Sequence, residues 1–419
     1  MTARKVSLRP RRLVMCLDGT ANNPFTPRKR KDGTVVVKPT NVLKLARAVK
    51  PVDSKGVEQI TYYDTGVGAL GRYPGATNWW LALADKALGG MGAGFEQNVE
   101  DAVHFLVLNY RPGDEIHIFG FSRGAATAQA ITHFLDWTGG LPEKDDAYYM
   151  PHLFRVYAKS RSSAHCTDEV TKINAERKTR KRPPLKPFRE ATIQFLGIWD
   201  TVLALGSRFK ATGKSTATPN WSFYLDERPA QCVSTARQAL AIDEVRYDFR
   251  PQVWEQAHPG QDMEQRWFAG VHSNVGGSYA DDGLANIPLH WIARAAKDAG
   301  LDLDWPYLNK FRGYAYDRLY RSDNWLYRTL DAIRWKTGRG YRNLLALKAA
   351  GNWTIDVSVV HRMQWKPDPN SRHKEMTKVY RPRNVRRWLA KAPDLDAALA
   401  TMGFTPADLP QDVQAELKI

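Results

Sequence analysis

Apolar and polar positions alternate in blocks through the first third of the chain. Leu13–Leu17 is a short apolar run closed by Asp18-Gly19-Thr20, the pattern of a buried strand feeding a tight turn. Thr40-Asn41 opens a helix that runs to about Lys50, with Val42, Leu45, Ala46 and Val49 on one face. A second strand over Gln59–Tyr63 ends at Asp64-Thr65-Gly66-Val67-Gly68. The glycine-rich stretch from Gly66 to Gly94 reads as a loop holding a short helix near Trp79–Leu88. A helix from about Phe95 to Tyr110, a turn at Arg111-Pro112-Gly113-Asp114, a strand at Glu115–Phe119 and a helix from Arg123 to about Trp137 follow. Strands separated by helices of this length call for a parallel sheet with crossover helices.

Residues 155–189 break that rhythm. They are rich in Lys and Arg, with Pro183-Pro184 and Pro187 near the end, and read as a basic insertion or lid rather than core. Strand character returns at Ala191–Trp199 and Gln265–Ala269, and helices are expected at Ala230–Leu240 and Pro288–Ala299. Beyond about residue 303 the strand periodicity fades into a tail rich in Trp, Tyr, Arg and Lys. The expected organisation is therefore a domain over 10–300 and a helical region over 301–419 packed on it.

Composition changes this picture little: 43% hydrophobic and 25% charged residues suit a globular chain with a sizeable core. Cys16, Cys166 and Cys232 are scattered, which offers no disulfide framework or metal knuckle and fits a reducing cytosol. The basic N-terminus lacks the apolar stretch of a secretory signal, and no apolar run is long enough for a membrane-spanning helix. The expected location is the cytoplasm of the producing cell, with any export independent of a cleaved signal. The net charge of +17 points to polyanionic partners, either nucleic acid or anionic lipid, but no nucleic-acid recognition motif accompanies it.

The chemistry concentrates at Gly120-Phe121-Ser122-Arg123-Gly124. G-x-S-x-G alone is a weak pattern. Here the strand Ile116–Phe119 enters it and the helical Ala125-Ala126-Thr127-Ala128 leaves it, the setting of a nucleophile elbow. Gly120 and Gly124 would relieve the crowding of such a turn. Ser122 would stand above the sheet edge, and the Arg123 backbone N–H, at a helix start, could donate to an oxyanion. In an α/β-hydrolase sheet a second donor comes from a loop two strands before the nucleophile strand, which makes Gly19 and Thr20 the candidates. Asp18 would orient that loop by accepting backbone N–H bonds, or be a plain Asp-Gly turn.

A serine hydroxyl needs an imidazole to take its proton and a carboxylate to hold that imidazole, and in this fold the chain order is Ser, acid, His. His133, His152 and His165 precede the next strand; His258 lies in a Pro-Gly loop, His290 in a helix, and His361 and His373 in the basic tail. His272 follows the strand Trp267–Val271 and opens a loop through Gly277, so it is the candidate base. Asp200 ends the strand Gln194–Trp199, at the carboxyl edge where sites in α/β sheets gather, and is the candidate acid. Its rivals Asp226, Asp243 and Asp248 read as surface residues.

Six ordered blocks then combine: Asp18-Gly-Thr-Ala-Asn22, Pro39-Thr-Asn-Val42, Tyr63-Asp-Thr-Gly-Val-Gly68, Gly120-Phe-Ser-Arg-Gly-Ala125, Gly197-Ile-Trp-Asp-Thr-Val202 and Gly270-Val-His-Ser-Asn-Val-Gly-Gly277. Together they resemble the α/β-hydrolase domain family that includes type VI secretion phospholipase effectors, over roughly residues 10–295 and reaching toward Ser358-Val359 and Arg362. The resemblance implies a triad of Ser122, Asp200 and His272 and phospholipase A-type cleavage of glycerophospholipid esters. The glycine-rich loop around Trp79-Trp80 and the basic 155–189 segment, aromatics beside Lys and Arg, suit closure over the site or contact with an anionic membrane, and an immunity or delivery protein is an expected partner. No cofactor and no metal are expected. The rival expectation is a binding protein on a catalytically silent hydrolase scaffold, directed at nucleic acid or a membrane surface.

Overall fold

A computed structural model describes residues 10–19, 28–29, 35–36, 39–66, 93–159, 162–202, 227–246, 249, 251–322, 342–348, 352–370 and 377–418. Among these residues seven strands form one sheet: β1 (Arg12–Leu17), β4 (Gln59–Asp64), β5 (Glu115–Phe121), β6 (Ile193–Trp199), β7 (Val233–Ala241), β8 (Asp262–Phe268) and β9 (Thr354–Ile355). Their order is β4-β1-β5-β6-β7-β8-β9 and every pairing is parallel. A separate antiparallel pair, β2 (Arg28–Lys29) with β3 (Val35–Val36), precedes the first helix.

A parallel sheet is covered on both faces, so its strands are apolar in both phases of the period-2 alternation. In β1, Leu13, Met15 and Leu17 enter one core while Val14 and Cys16 enter the other. The first core is closed by α2 (Ala93–Asn109), α3 (Arg123–Thr138), α4 (Met150–Lys159) and α5 (Ser163–Thr179). The second is closed by α1 (Asn41–Ala48), then, after a short α6 (His272–Gly276), by α7 (Gly283–Asp298) and α8 (Trp305–Leu308). The protein is thus an α/β fold with a parallel sheet and helices on both faces.

Three expectations change. Ala230–Leu240 is not a helix; Val233–Ala241 is the strand β7, held between β6 and β8. Ala, Gln and Leu favour helices, but that bias is weak against burial between two parallel neighbours. Among the described residues beyond 303 lie α9 (Leu344–Lys348), α10 (Val357–Gln364), α11 (Arg383–Leu389), α12 (Leu395–Ala400) and α13 (Gln411–Leu417), but also β9, the edge strand of the sheet. Leu344, Ile355, Val359, Trp388 and Leu399 of this region share one cluster with Leu240 and Trp267 of the sheet.

The third change concerns the basic segment over 155–189, which is no lid. Helices α4 and α5 bury Phe154, Tyr157, Cys166 and Ile173 in the first core. Tyr157 packs on Phe134 and Trp137, near the C-terminal end of α3, while Arg189 Nη1 and Nη2 donate to the carbonyls of Tyr110 and Val107 just ahead of β5. These contacts lie at the amino ends of the strands, opposite Ser122. The helix expected at Trp79–Leu88 lies outside the described residues.

Candidate active site

The carboxyl end of β5 turns into α3 through the single residue Ser122. Ser122 adopts φ 59°, ψ −120° as the residue before α3, a conformation costly for a residue with a Cβ. The flanking glycines are there for space. A Cβ on Gly124 would lie 2.1 Å from the Leu17 carbonyl oxygen, and one on Gly120 would lie 2.5 Å from the Gly124 carbonyl oxygen. Ser122 N donates to the Trp199 carbonyl at 3.1 Å, which ties the turn to the end of β6. Arg123 is the first residue of α3, where first-turn N–H groups have no acceptor within the helix.

Asp200 follows β6 and is fully buried, with φ 42°. Its Oδ1 accepts from Ala241 N at 2.9 Å and Arg342 Nη1 at 2.5 Å. Its Oδ2 accepts from His272 Nδ1 at 2.7 Å and Arg342 Nη2 at 2.9 Å. A carboxylate only accepts, so Nδ1 carries the imidazole hydrogen and Nε2 holds the lone pair. Burial alone would raise the Asp200 carboxyl, but the charge of Arg342 and the hydrogen bonds from His272 and Arg342 outweigh it and hold the group well below the carboxylate range. His272, at the start of α6 rather than in an open loop, is also buried. Burial lowers its pKa below the ordinary 6.5; Asp200 pulls it upward and the Arg246 charge downward. The neutral imidazole, competent as a base, is therefore the favoured form near neutral pH.

The hydrogen-bonded pair is Asp200–His272, and Ser122 stands beside it. Phe121, the residue before the serine, packs its ring on the imidazole with centroids 4.6 Å apart, and Phe249 closes the other side edge-on at 5.0 Å. Among the described residues no hydrogen bond joins Ser122 to His272. Catalytic hydrogen bonds of this kind often tighten only around substrate. Of the rival acids, Asp243 is half-buried and engaged, its Oδ2 accepting from Gly270 N at 2.7 Å and Tyr380 Oη at 2.8 Å, away from the His272 ring. Asp226 and Asp248 lie outside the described residues.

The buried carboxylate of Asp18 accepts from Gly19 N at 2.7 Å, Thr40 Oγ1 at 2.5 Å and Tyr63 Oη at 2.8 Å. The Gly19 N–H, expected as an oxyanion donor, is thereby committed to Asp18, and Thr20 lies outside the described residues. No cluster of three or more metal-ligating side chains occurs among the described residues, and none of their helices is long and apolar enough to cross a membrane.

Two neighbours went unforeseen from sequence. Glu244 Oε2 accepts from the His272 backbone N at 3.2 Å, and the same oxygen takes Arg246 Nη2 at 2.8 Å. Arg342 comes from the tail, 142 residues after Asp200, where an arginine among many basic residues carries no signal.

Residues 11–295 match the model of the family described as T6SS, Phospholipase effector Tle1-like, catalytic domain. The chain belongs to this family. All three members of the candidate triad fall inside the Tle1-like span, and Arg342 falls outside it. An uncharacterized protein of Saccharomyces cerevisiae, YEL023C, is 29% identical over 202 residues, 46% of this chain and only 27% of that protein's own length. Among solved structures, a Tle1 effector bound to the VgrG spike of the type 6 secretion system aligns with TM-score 0.44 and 14% identity over 82% of this chain and 84% of that one. An uncharacterized Pseudomonas aeruginosa protein aligns with TM-score 0.42 and 16% identity over 98% of this chain and 62% of that one.

Proposed function

We propose that this Tle1-like domain is a serine hydrolase that cleaves the acyl esters of glycerophospholipids, a phospholipase A-type reaction. The observation that carries this reading is the buried Asp200–His272 pair, held 2.7 Å apart beside a serine on a strained strand-to-helix turn. His272 Nε2 takes the Ser122 Oγ proton as the oxygen attacks the acyl carbonyl. The tetrahedral intermediate collapses with proton transfer from His272 to the leaving alkoxide, which departs as a lysophospholipid. Water, deprotonated by His272, then attacks acyl-Ser122, and fatty acid leaves as the proton returns to Oγ. The Arg123 backbone N–H at the amino end of α3 donates to the oxyanion. Thr20 is the second donor, since the Gly19 N–H is taken by Asp18.

The lipid surface meets the carboxyl ends of the strands, where the reacting groups lie, and not the basic segment at the opposite end. Family membership supports synthesis in the cytoplasm, export by a contact-dependent secretion apparatus, and a delivery or immunity protein as partner. Phospholipid vesicles are the test. Wild type should release fatty acid and lysophospholipid, and Ser122→Ala should release neither; a fluorophosphonate probe should label only the former. Equal release by both would sink the serine mechanism, and release of a phosphorylated headgroup would sink the A-type assignment.

A further inference from the structure

The pair Asp200–His272 does not stand alone: a third buried charge is clamped on the acid. The Arg342 side chain is 2% exposed, and its two terminal nitrogens straddle Asp200, one on each carboxylate oxygen. The same nitrogens also donate to the carbonyls of Ala241 at 2.6 Å and Phe249 at 2.7 Å. One planar fork thus joins the end of β6, the end of β7 and the loop whose Phe249 ring forms a wall of the His272 site. Bidentate arginine pairing fixes a carboxylate in rotation as well as position, which a lysine or a neutral donor does not.

We propose that Arg342, supplied by the C-terminal region, is a positioning residue of the catalytic acid–base pair. It holds the Asp200 carboxylate so that Oδ2 faces His272 Nδ1, and its charge offsets that of Asp200 as felt by the imidazole. This rests on the triad reading above. Anchoring of the C-terminal region is already provided by the apolar cluster of Leu344, Ile355 and Val359 with Leu240 and Trp267, so that task does not require a buried cation aimed at a carboxylate. Burying an ion pair is energetically expensive, and its retention at the acid is accounted for by geometry and charge at the site.

The charged groups around His272 come from three segments. Asp200 follows β6, Glu244 and Arg246 follow β7, and Arg342, which reaches the ring through Asp200, precedes α9. Removing Arg342 leaves the attraction of Asp200 and Glu244 for an imidazolium opposed by Arg246 alone. His272 then holds its proton to higher pH, and the acid limb of activity moves up with it.

The experiment compares full-length wild type, Arg342→Met, Arg342→Lys and Ser122→Ala on one ester substrate, with kcat, KM, the pH profile of kcat/KM and thermal unfolding measured for each. Arg342→Met should lose about 100-fold in kcat with KM little changed, the scale of a misplaced catalytic group, and its acid limb should shift to higher pH. Arg342→Lys keeps the charge without the fork. Its acid limb should stay near wild type while kcat falls by about 10-fold, within the range for a lost orienting partner. A folded Arg342→Met with wild-type kcat and acid limb would overturn the proposal. If Arg342→Met does not fold, Arg342→Lys decides, and wild-type kcat in that variant overturns it. Activity retained by Ser122→Ala would instead mark failure of the triad reading itself.

Discussion

The two ends of the sheet are built differently. At the amino ends, Arg11 pairs with Asp114 at 2.7 Å, Arg12 bridges Asp53 and Glu115, and Asp136 accepts the backbone N–H groups of Gln231 and Cys232. These contacts tie the starts of strands to the ends of helices. At the carboxyl ends, Ser122 and Asp200 both hold positive φ, and a carboxylate, an imidazole and a guanidinium are buried within hydrogen-bond reach of one another. At the carboxyl ends strained backbone and buried charge converge on the groups of the proposed triad, whereas at the amino ends buried charge only joins one element to another.

Substitutions can test that division. The largest effect is expected for Asp200→Asn, which loses the acceptor for His272 Nδ1 and favours the wrong tautomer. Its kcat should fall by about 10³-fold or more, measured as ester hydrolysis by protein shown to be folded. An active Asp200→Asn would mean the carboxyl end is merely another structural ion cluster. At the amino end, Asp114→Ala strands the buried Arg11 and should cost about 3–5 kcal/mol in urea unfolding, while the kcat of the folded fraction stays within about twofold. A selective loss of turnover there would erase the contrast.

Acid should act on the carboxyl end through both Asp200 and His272. His272 is depressed below 6.5 and Asp200 below 3.8, so in each case the unfolded chain binds protons before the folded one does. Stability is therefore fully present above both values. It declines as pH drops below 6.5 on account of His272, and again below 3.8 on account of Asp200. Turnover, which needs neutral His272, should be flat near neutrality and fall on the acid side of 6.5. An acid limb above 6.5 would contradict the burial described.

The smallest effect is expected for charge reversal of the exposed Lys178, Arg180, Lys181 and Arg182 at the end of α5. Stability should change by about 0.5 kcal/mol or less and vesicle hydrolysis should hold within about twofold, because this patch faces away from the site. Loss of vesicle hydrolysis with intact cleavage of a soluble ester would place the lipid contact at the amino end after all.

Much of this arrangement is legible in local pattern. The strand-turn-helix around Ser122, the apolar run ending in Asp18-Gly19 and the carboxylate closing Gly197-Ile198-Trp199 are each written within a few neighbouring residues. What local pattern hides is set by distant partners. Ala230–Leu240 looks helical because its Ala, Arg, Gln and Leu residues suit a helix, and only β6 and β8 on either side make Val233–Ala241 a strand. Residues 155–189 look like a lid because charge on exposed faces dominates, while Tyr157, Cys166 and Ile173 do the packing. Arg342 is one basic residue in a basic tail until the fold sets it against Asp200.

The separation of Asp200 from Arg342 by 142 positions also has a temporal side. At about 5–20 residues per second, Asp200 is synthesised roughly 7–28 s before its guanidinium partner. β9, the last strand of the sheet, is made later still. A growing chain can therefore carry its serine, acid and histidine in full while the clamp on the acid does not yet exist, and the order of synthesis places that clamp among the final steps of maturation.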